Sequence, residues 1–213
     1  MKQPPNESPE KSDKKTHGDG IIKSQNRELN PKKKFLTESE IAAFLKASKE
    51  TRHKERDHCM AMMAYRHGFR VSELIDVRLN EVDLDGARIF VRRKKKSLST
   101  NQPLAGDELR VIRRWMKERS AEPSAHLPWL FLSERKGKLT RQAVNYIFAE
   151  IAKKAGLDFK VYPHMLRHTC GFALADKNLP TATIQDYLGH SNIQNTVIYT
   201  ATNPKRFEGI TWE

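Results

Sequence analysis

Residues 163–200 read PHMLRHTCGFALADKNLPTATIQDYLGHSNIQNTVIYT. Pro163, Pro180 and Gly189 punctuate this stretch and predict three helices, over 164–176, 181–188 and 192–200. The chemically loaded side chains are His164, Arg167, His168, Cys170, His190 and Tyr199. His164 and His168 stand four apart on one helix, which is also a metal-ligand spacing. No glutamate follows the first histidine, and no third and fourth ligands are spaced to complete a site. The two histidines therefore read as packed or exposed side chains, and no metal is expected.

Upstream of these helices, Thr37 and Glu40 form a capping box, and Ile41, Phe44 and Leu45 fall on one helical face behind it. A second helix is expected from about His53 to Tyr65, ending near Gly68, and a short one from Arg70 to about Val77. Residues 87–93 alternate apolar and polar. With a lysine-rich turn and a second stretch at 98–104, they predict a β-hairpin. Helices are expected at 106–119 and 141–155, with a strand-like segment, WLFLS, at 129–133. The fold class is mainly α with a small antiparallel β-sheet (α+β). Phe44, Leu45, Met62, Met63, Leu109, Ile112, Trp115, Val144, Ile147, Phe148, Ile151, Leu166 and Leu174 read as core, and Trp129 as packed.

The chain has 213 residues, 39 Lys+Arg against 26 Asp+Glu, and a formal net charge of +13. Such an excess favours a polyanionic partner, nucleic acid before anionic membrane. No apolar run approaches a bilayer span, and the first 34 residues hold no signal-like apolar stretch. The cysteine count of two, Cys59 and Cys170, excludes a disulfide scaffold and fits a reducing cytoplasm. Residues 1–34 read as a disordered basic tail, rich in Pro, Gly, Lys and Ser and poor in apolar side chains. The tail carries +4, so the domain expected over 35–213 is basic in its own right at +9.

Two further places are loaded. HGFRVSEL, residues 67–74, puts Arg70 and Glu73 on one helical face, which alone would be a surface ion pair. RRKKKS, residues 92–97, reads as a solvated turn or a strip that contacts phosphates. Each place is weak alone, but their order is specific. Gly68-Phe69-Arg70-Val71-Ser72-Glu73-Leu74, a hairpin lysine, His164-Met165-Leu166-Arg167, Leu188-Gly189-His190 and Tyr199 follow one another at set distances. This series resembles the tyrosine recombinase (phage integrase) family. The text CGFALA, IQDYLGH, NI and YTA is similar to the family's fimbrial-switch recombinases, which look like bare catalytic domains.

The resemblance implies DNA cleavage and rejoining through a 3′-phosphotyrosine, with the catalytic-domain fold of that family over roughly residues 35–205. Arg70 and Arg167 would each present a planar fork to the scissile phosphate, and His190 would add a donor. Tyr199 would be the nucleophile; Tyr187 is nearer His190 but sits where packing is expected. His164 is the expected base and Lys95 the expected acid, with Lys96 the alternative. Glu73 would orient Arg70. Arg92, Arg93, Lys94 and Lys96 are expected to contact phosphates. Neither metal nor cofactor is needed, because the covalent link conserves the bond energy.

The implied partners are double-stranded DNA with inverted-repeat sites, a homo-tetramer acting on two sites, and DNA-bending accessory proteins, at a bacterial nucleoid rather than a membrane. Asn203–Glu213, with Phe207, Ile210 and Trp212, would pack on its own domain or dock on a neighbouring protomer. Inversion of a promoter-bearing segment, which would regulate transcription of fimbrial genes in phase variation, is the leading function. Integration or excision, a non-cleaving transcriptional regulator and a relaxing topoisomerase stand as alternatives.

Overall fold

The computed structural model describes residues 33–94, 97–201 and 207. The tail expected over 1–34 and the expected docking segment 203–213 therefore lie almost wholly outside the described residues.

Helix α1 (Glu38–Ala47) opens on the expected capping box: the Thr37 hydroxyl accepts from the Glu40 amide, and the Glu40 carboxylate accepts from the Thr37 amide. Such a cap contributes about 1 kcal/mol. Helix α2 (Lys54–Arg66) is buried along most of its length and forms the central post of the domain. The chain then turns through Gly68 into the four-residue helix α3 (Val71–Leu74).

The expected hairpin exists but is larger than a hairpin. Strand β2 (Arg88–Val91) pairs antiparallel with β3 (Thr100–Pro103), and a short β1 (Val82–Asp83) adds to the other side of β2, giving the order β1-β2-β3. Two residues are too few for alternation to show, so β1 leaves no period-2 trace. Helix α4 (Gly106–Ser120) returns across α2, and α5 (Arg141–Lys154) is capped by the Thr140 side chain.

The segment WLFLS between α4 and α5 is not a strand. It touches its neighbours through two isolated bridges, Arg78–Trp129 and Leu132–Lys138. Side-chain donors satisfy much of its backbone instead: Trp115 Nε1 donates to the Leu130 carbonyl at 3.0 Å, and Arg119 donates to the carbonyls of Leu127 and Trp129. Leu130 and Phe131 are fully buried, so the apolar text reflects core packing without a ladder.

Helices α6 (Pro163–Ala175), α7 (Thr181–Leu188) and α8 (Gln194–Ala201) close the domain. One core runs from α1 through α2, α4 and α5 to the start of α6. Nearly all the expected core residues join it, with Leu45, Leu109 and Ile147 only partly buried. A second, smaller core gathers Cys170, Ala175, Ile184, Leu188 and Tyr199, with Leu174 against it, among α6, α7 and α8. Burying each large apolar side chain contributes roughly 1.5–3 kcal/mol. The last three helices thus share a small core in which a tyrosine is buried.

Candidate active site

The exit of α7 organises the site. Its final carbonyls have no helical partner and carry the negative end of the helix dipole. Three guanidinium groups meet them in succession. Arg93 donates to the carbonyl of Tyr187 (2.6 Å), Arg167 to that of Leu188 (2.7 Å) and Arg70 to that of Gly189 (3.1 Å). Gly189 turns the chain in the left-handed region at φ +66°, and a Cβ there would lie 2.8 Å from Arg93 Cγ. Glycine suits that place twice over, for its dihedral and for its lack of a side chain.

The other side of the arginine cluster is the segment between α2 and α3. The Gly68 carbonyl accepts from Arg167 at 2.6 Å, and the His67 carbonyl from Arg93 at 2.8 Å. Glu73 takes the remaining charge. One carboxylate oxygen accepts from Arg70 Nη1 at 2.7 Å; the other accepts from Arg93 Nη1 at 2.8 Å and from the Arg70 amide at 3.0 Å. Burial alone would raise the Glu73 carboxyl, but Arg93 and the Arg70 donors outweigh it and hold it below the usual range.

These contacts place the expected residues in two groups. Arg70, Glu73, Arg167, His190 and Tyr199 come together around the α7 exit. Arg167 is 1% exposed, and burial together with Arg70 and Arg93 lowers it to about 9. Three guanidiniums held so close crowd one another, which makes the pocket a strong attractor for an anion. His164 stands at the exposed start of α6, beside a depression of about 590 Å³ shared with Arg70, Lys94, Arg141 and Asn145.

The hairpin residues separate. Arg93 departs from the expected phosphate strip: its side chain is sealed from solvent, with its ion pair to Glu73 inside the protein. Alternation along β2 continues past the strand end and turns Arg93 inward, where charge had suggested a solvated turn. Arg92 and Lys94 keep exposed side chains, paired with Glu81 and Asp76 respectively. Lys95 and Lys96 lie outside the described residues.

Tyr199 is 1% exposed. Its ring lies on Gly171, where a Cβ would come within 2.6 Å, and it meets Phe172 edge-on at 5.1 Å. The His190 ring stacks over it at 6.2 Å. Burial pushes the phenol up to about 12, partly opposed by Arg167. His190 Nδ1 lies 2.9 Å from the buried Thr196 hydroxyl. With that hydroxyl donating, the ring proton sits on Nε2, ready to donate to an anion. Burial and the charges of Arg167, Arg70 and Arg93 push His190 down to about 3, so it is neutral at physiological pH. Tyr187, the competing tyrosine, donates its hydroxyl to the Arg66 carbonyl at 3.0 Å, and burial raises its phenol further.

His168, expected only as a packed or exposed side chain, places its Nδ1 2.9 Å from the Tyr199 hydroxyl. Positions 164 and 168 share a helical face, but nothing local in the sequence points either ring at Tyr199. The two rings meet edge to face at 4.5 Å. Among the described residues, no cluster of three or more His, Cys, Asp or Glu is placed to hold a metal.

The family model described as the phage integrase family matches residues 34–206. The chain is 43% identical to the type 1 fimbriae regulatory protein FimB of Escherichia coli K12, over 89% of this chain and 94% of that one. It is 42% identical to FimE of the same strain, over 85% and 92% of the two chains. Among solved structures, XerA recombinase superposes with a TM-score of 0.72 at 26% identity, covering 81% of this chain and 62% of that one. The chain thus spans about three fifths of that structural relative, and nearly all of the fimbrial ones. The chain belongs to the phage integrase family and is a site-specific tyrosine recombinase.

Proposed function

We propose that the enzyme cuts duplex DNA at inverted-repeat sites through Tyr199 and inverts the segment between them, switching fimbrial genes. The observation that carries this reading is the convergence of Arg70, Arg167, His190 and Tyr199 on one turn, Leu188–His190. FimB and FimE are named as regulators of type 1 fimbriae, which favours inversion over integration or excision.

A phosphodiester resists attack because its anionic oxygens repel a nucleophile. Arg70 and Arg167 offset that charge and stabilise the pentacoordinate transition state, as pre-placed donors do wherever charge develops. His190 Nε2 adds a neutral donor. The Tyr199 oxygen bonds to phosphorus, the 5′-oxygen leaves, and a 3′-phosphotyrosine results. A 5′-hydroxyl from the partner site then reverses the step. Lys95 serves as the acid for the leaving oxygen, and Glu73 acts only through Arg70. Four protomers on two sites exchange strands in pairs, aided by DNA-bending proteins at the nucleoid. The basic tail raises the encounter rate with DNA.

The test is incubation with nicked duplexes in the presence of a chelator. Covalent adducts should form, disappear in Tyr199→Phe and persist in Tyr187→Phe. Adducts that survive Tyr199→Phe would overturn the nucleophile. Specific binding with no adduct would point to a regulator, and site-independent relaxation of supercoils to a topoisomerase.

A further inference from the structure

The phenol of a nucleophilic tyrosine must lose its proton as it attacks, and the acceptor has to lie within hydrogen-bond reach of that proton. His164, the expected base, makes its closest aromatic contact with His168. The ring that touches the Tyr199 hydroxyl is His168, at 2.9 Å through Nδ1. Gly171 and Phe172, one turn further along α6, hold the tyrosine ring in place, so the pair is fixed by packing from both ends.

We propose that His168 takes the proton from Tyr199 as the phenolic oxygen attacks phosphorus. This rests on Tyr199 being the nucleophile. The new bond joins Tyr199 Oη to phosphorus, and the bond from phosphorus to the 5′-oxygen breaks. The phenolic proton passes to His168 Nδ1, leaving an imidazolium protonated on both nitrogens. The 5′-oxygen departs with the bonding electrons and takes its proton from the hairpin acid. His164 is left to face the substrate from the exposed start of α6.

The surroundings keep the ring unprotonated before attack. His164 and Arg167 on α6 and Lys34 before α1 bring positive charge to His168, while Tyr199 on α8 and His190 after α7 are neutral neighbours. Burial first, then those charges, hold His168 at about 4, so the ring is uncharged at neutral pH, and in the tautomer protonated on Nε2 its Nδ1 accepts from the Tyr199 hydroxyl. A phosphodiester seated on Arg70 and Arg167 adds negative charge beside it. That favours the protonated imidazole at the moment the proton arrives.

The probe is a pool of nicked duplexes with randomised sequence, from which the wild-type chain selects a duplex that traps it covalently. On that duplex, adduct formation is followed from about pH 5 to pH 10 for wild type, His168→Gln, His168→Asn and His164→Gln. Both His168 variants should slow adduct formation by about 100-fold at neutral pH and regain rate about tenfold per pH unit as the phenol ionises unaided. His164→Gln should keep the wild-type pH dependence. A wild-type pH profile in a folded His168 variant would overturn the proposal.

A second measurement needs no DNA and no His168 variant. The Nδ1 resonance of His168 in nitrogen NMR should move between wild type and Tyr199→Phe; an unmoved resonance also overturns the proposal. If the wild-type chain selects no adduct, the recombinase reading fails and takes this one with it. The NMR comparison then still reports whether the pair exists.

Discussion

Arg93 Nη1 lies 2.8 Å from Glu73 Oε2, and neither side chain of this pair is open to solvent. The same carboxylate orients Arg70, and the same guanidinium ties β2 to the α7 exit through the Tyr187 carbonyl. Arg93 is therefore a strut behind Arg70 and Arg167. Removing Arg93 leaves Glu73 to its Arg70 donors, and removing Glu73 leaves Arg93 a buried cation held by carbonyls alone; breaking a buried pair costs about 3–5 kcal/mol. Arg93→Ala and Glu73→Ala should each lower the free energy of unfolding, measured in urea, by about that amount. A stability change below about 1 kcal/mol in Arg93→Ala would show that the pair does not hold the site.

Arg92 and Lys94 flank Arg93 but point to solvent; Lys94 pairs with the half-buried Asp76, whereas Arg92 reaches back to the buried carboxylate of Glu81. The exposed Lys94–Asp76 pair contributes about 0–1 kcal/mol. Lys94→Ala should leave stability nearly unchanged, whereas Arg92→Ala strips a buried carboxylate of its ion pair and should lower stability measurably; both should weaken DNA binding. Each should reduce the slope of log affinity against log salt by about 1 if it neutralises one phosphate. Titrations at several salt concentrations check this, and an unchanged slope in both variants would remove them from the DNA face.

The sequence made these neighbours legible to different degrees. The family resemblance, carried by motif order, grouped Arg70, Arg167, His190 and Tyr199; of these, Arg70 and His190 follow a glycine at a helix boundary, while Arg167 and Tyr199 lie inside helices. What escaped was direction. A run of five adjacent cations, Arg92 to Lys96, looks uniform in composition, yet strand alternation sends Arg93 inward and Arg92 and Lys94 outward. Similarly, WLFLS had the apolar content of a strand but is held by Trp115 and Arg119 side chains. The Tyr199–His168 contact joins α8 to α6 across 31 residues, and no local pattern encodes it.

His168 and His190 are held neutral in the fold, at about 4 and about 3. Both lie below the unfolded value near 6.5, so the unfolded chain binds more protons between those limits. Their contribution to stability is present above about pH 6.5 and is lost as pH falls through 4 and then 3. Both rings are partly exposed, which reduces the effect to on the order of 2 kcal/mol together. Thermal melting from pH 7 down to pH 4 should show the midpoint falling, and the fall should be shallower in His168→Gln. An equal fall in that variant would assign the acid sensitivity to other groups.

Gly171 offers the most direct check on where the nucleophile rests. A methyl group there would come within 2.6 Å of the Tyr199 ring, closer than any real contact allows. Gly171→Ala must therefore push the ring off α6 or distort the helix, and overpacking of this kind costs about 1–3 kcal/mol. If the ring is what the methyl meets, Tyr199→Ala should relieve most of that cost. The double variant should then be more stable than the sum of the two single losses predicts, by about 1 kcal/mol or more. Urea unfolding of the four proteins measures this coupling. Strict additivity would mean that Tyr199 does not lie on Gly171 in the resting enzyme, and the hydrogen bond to His168, set by the same ring position, would lose its basis.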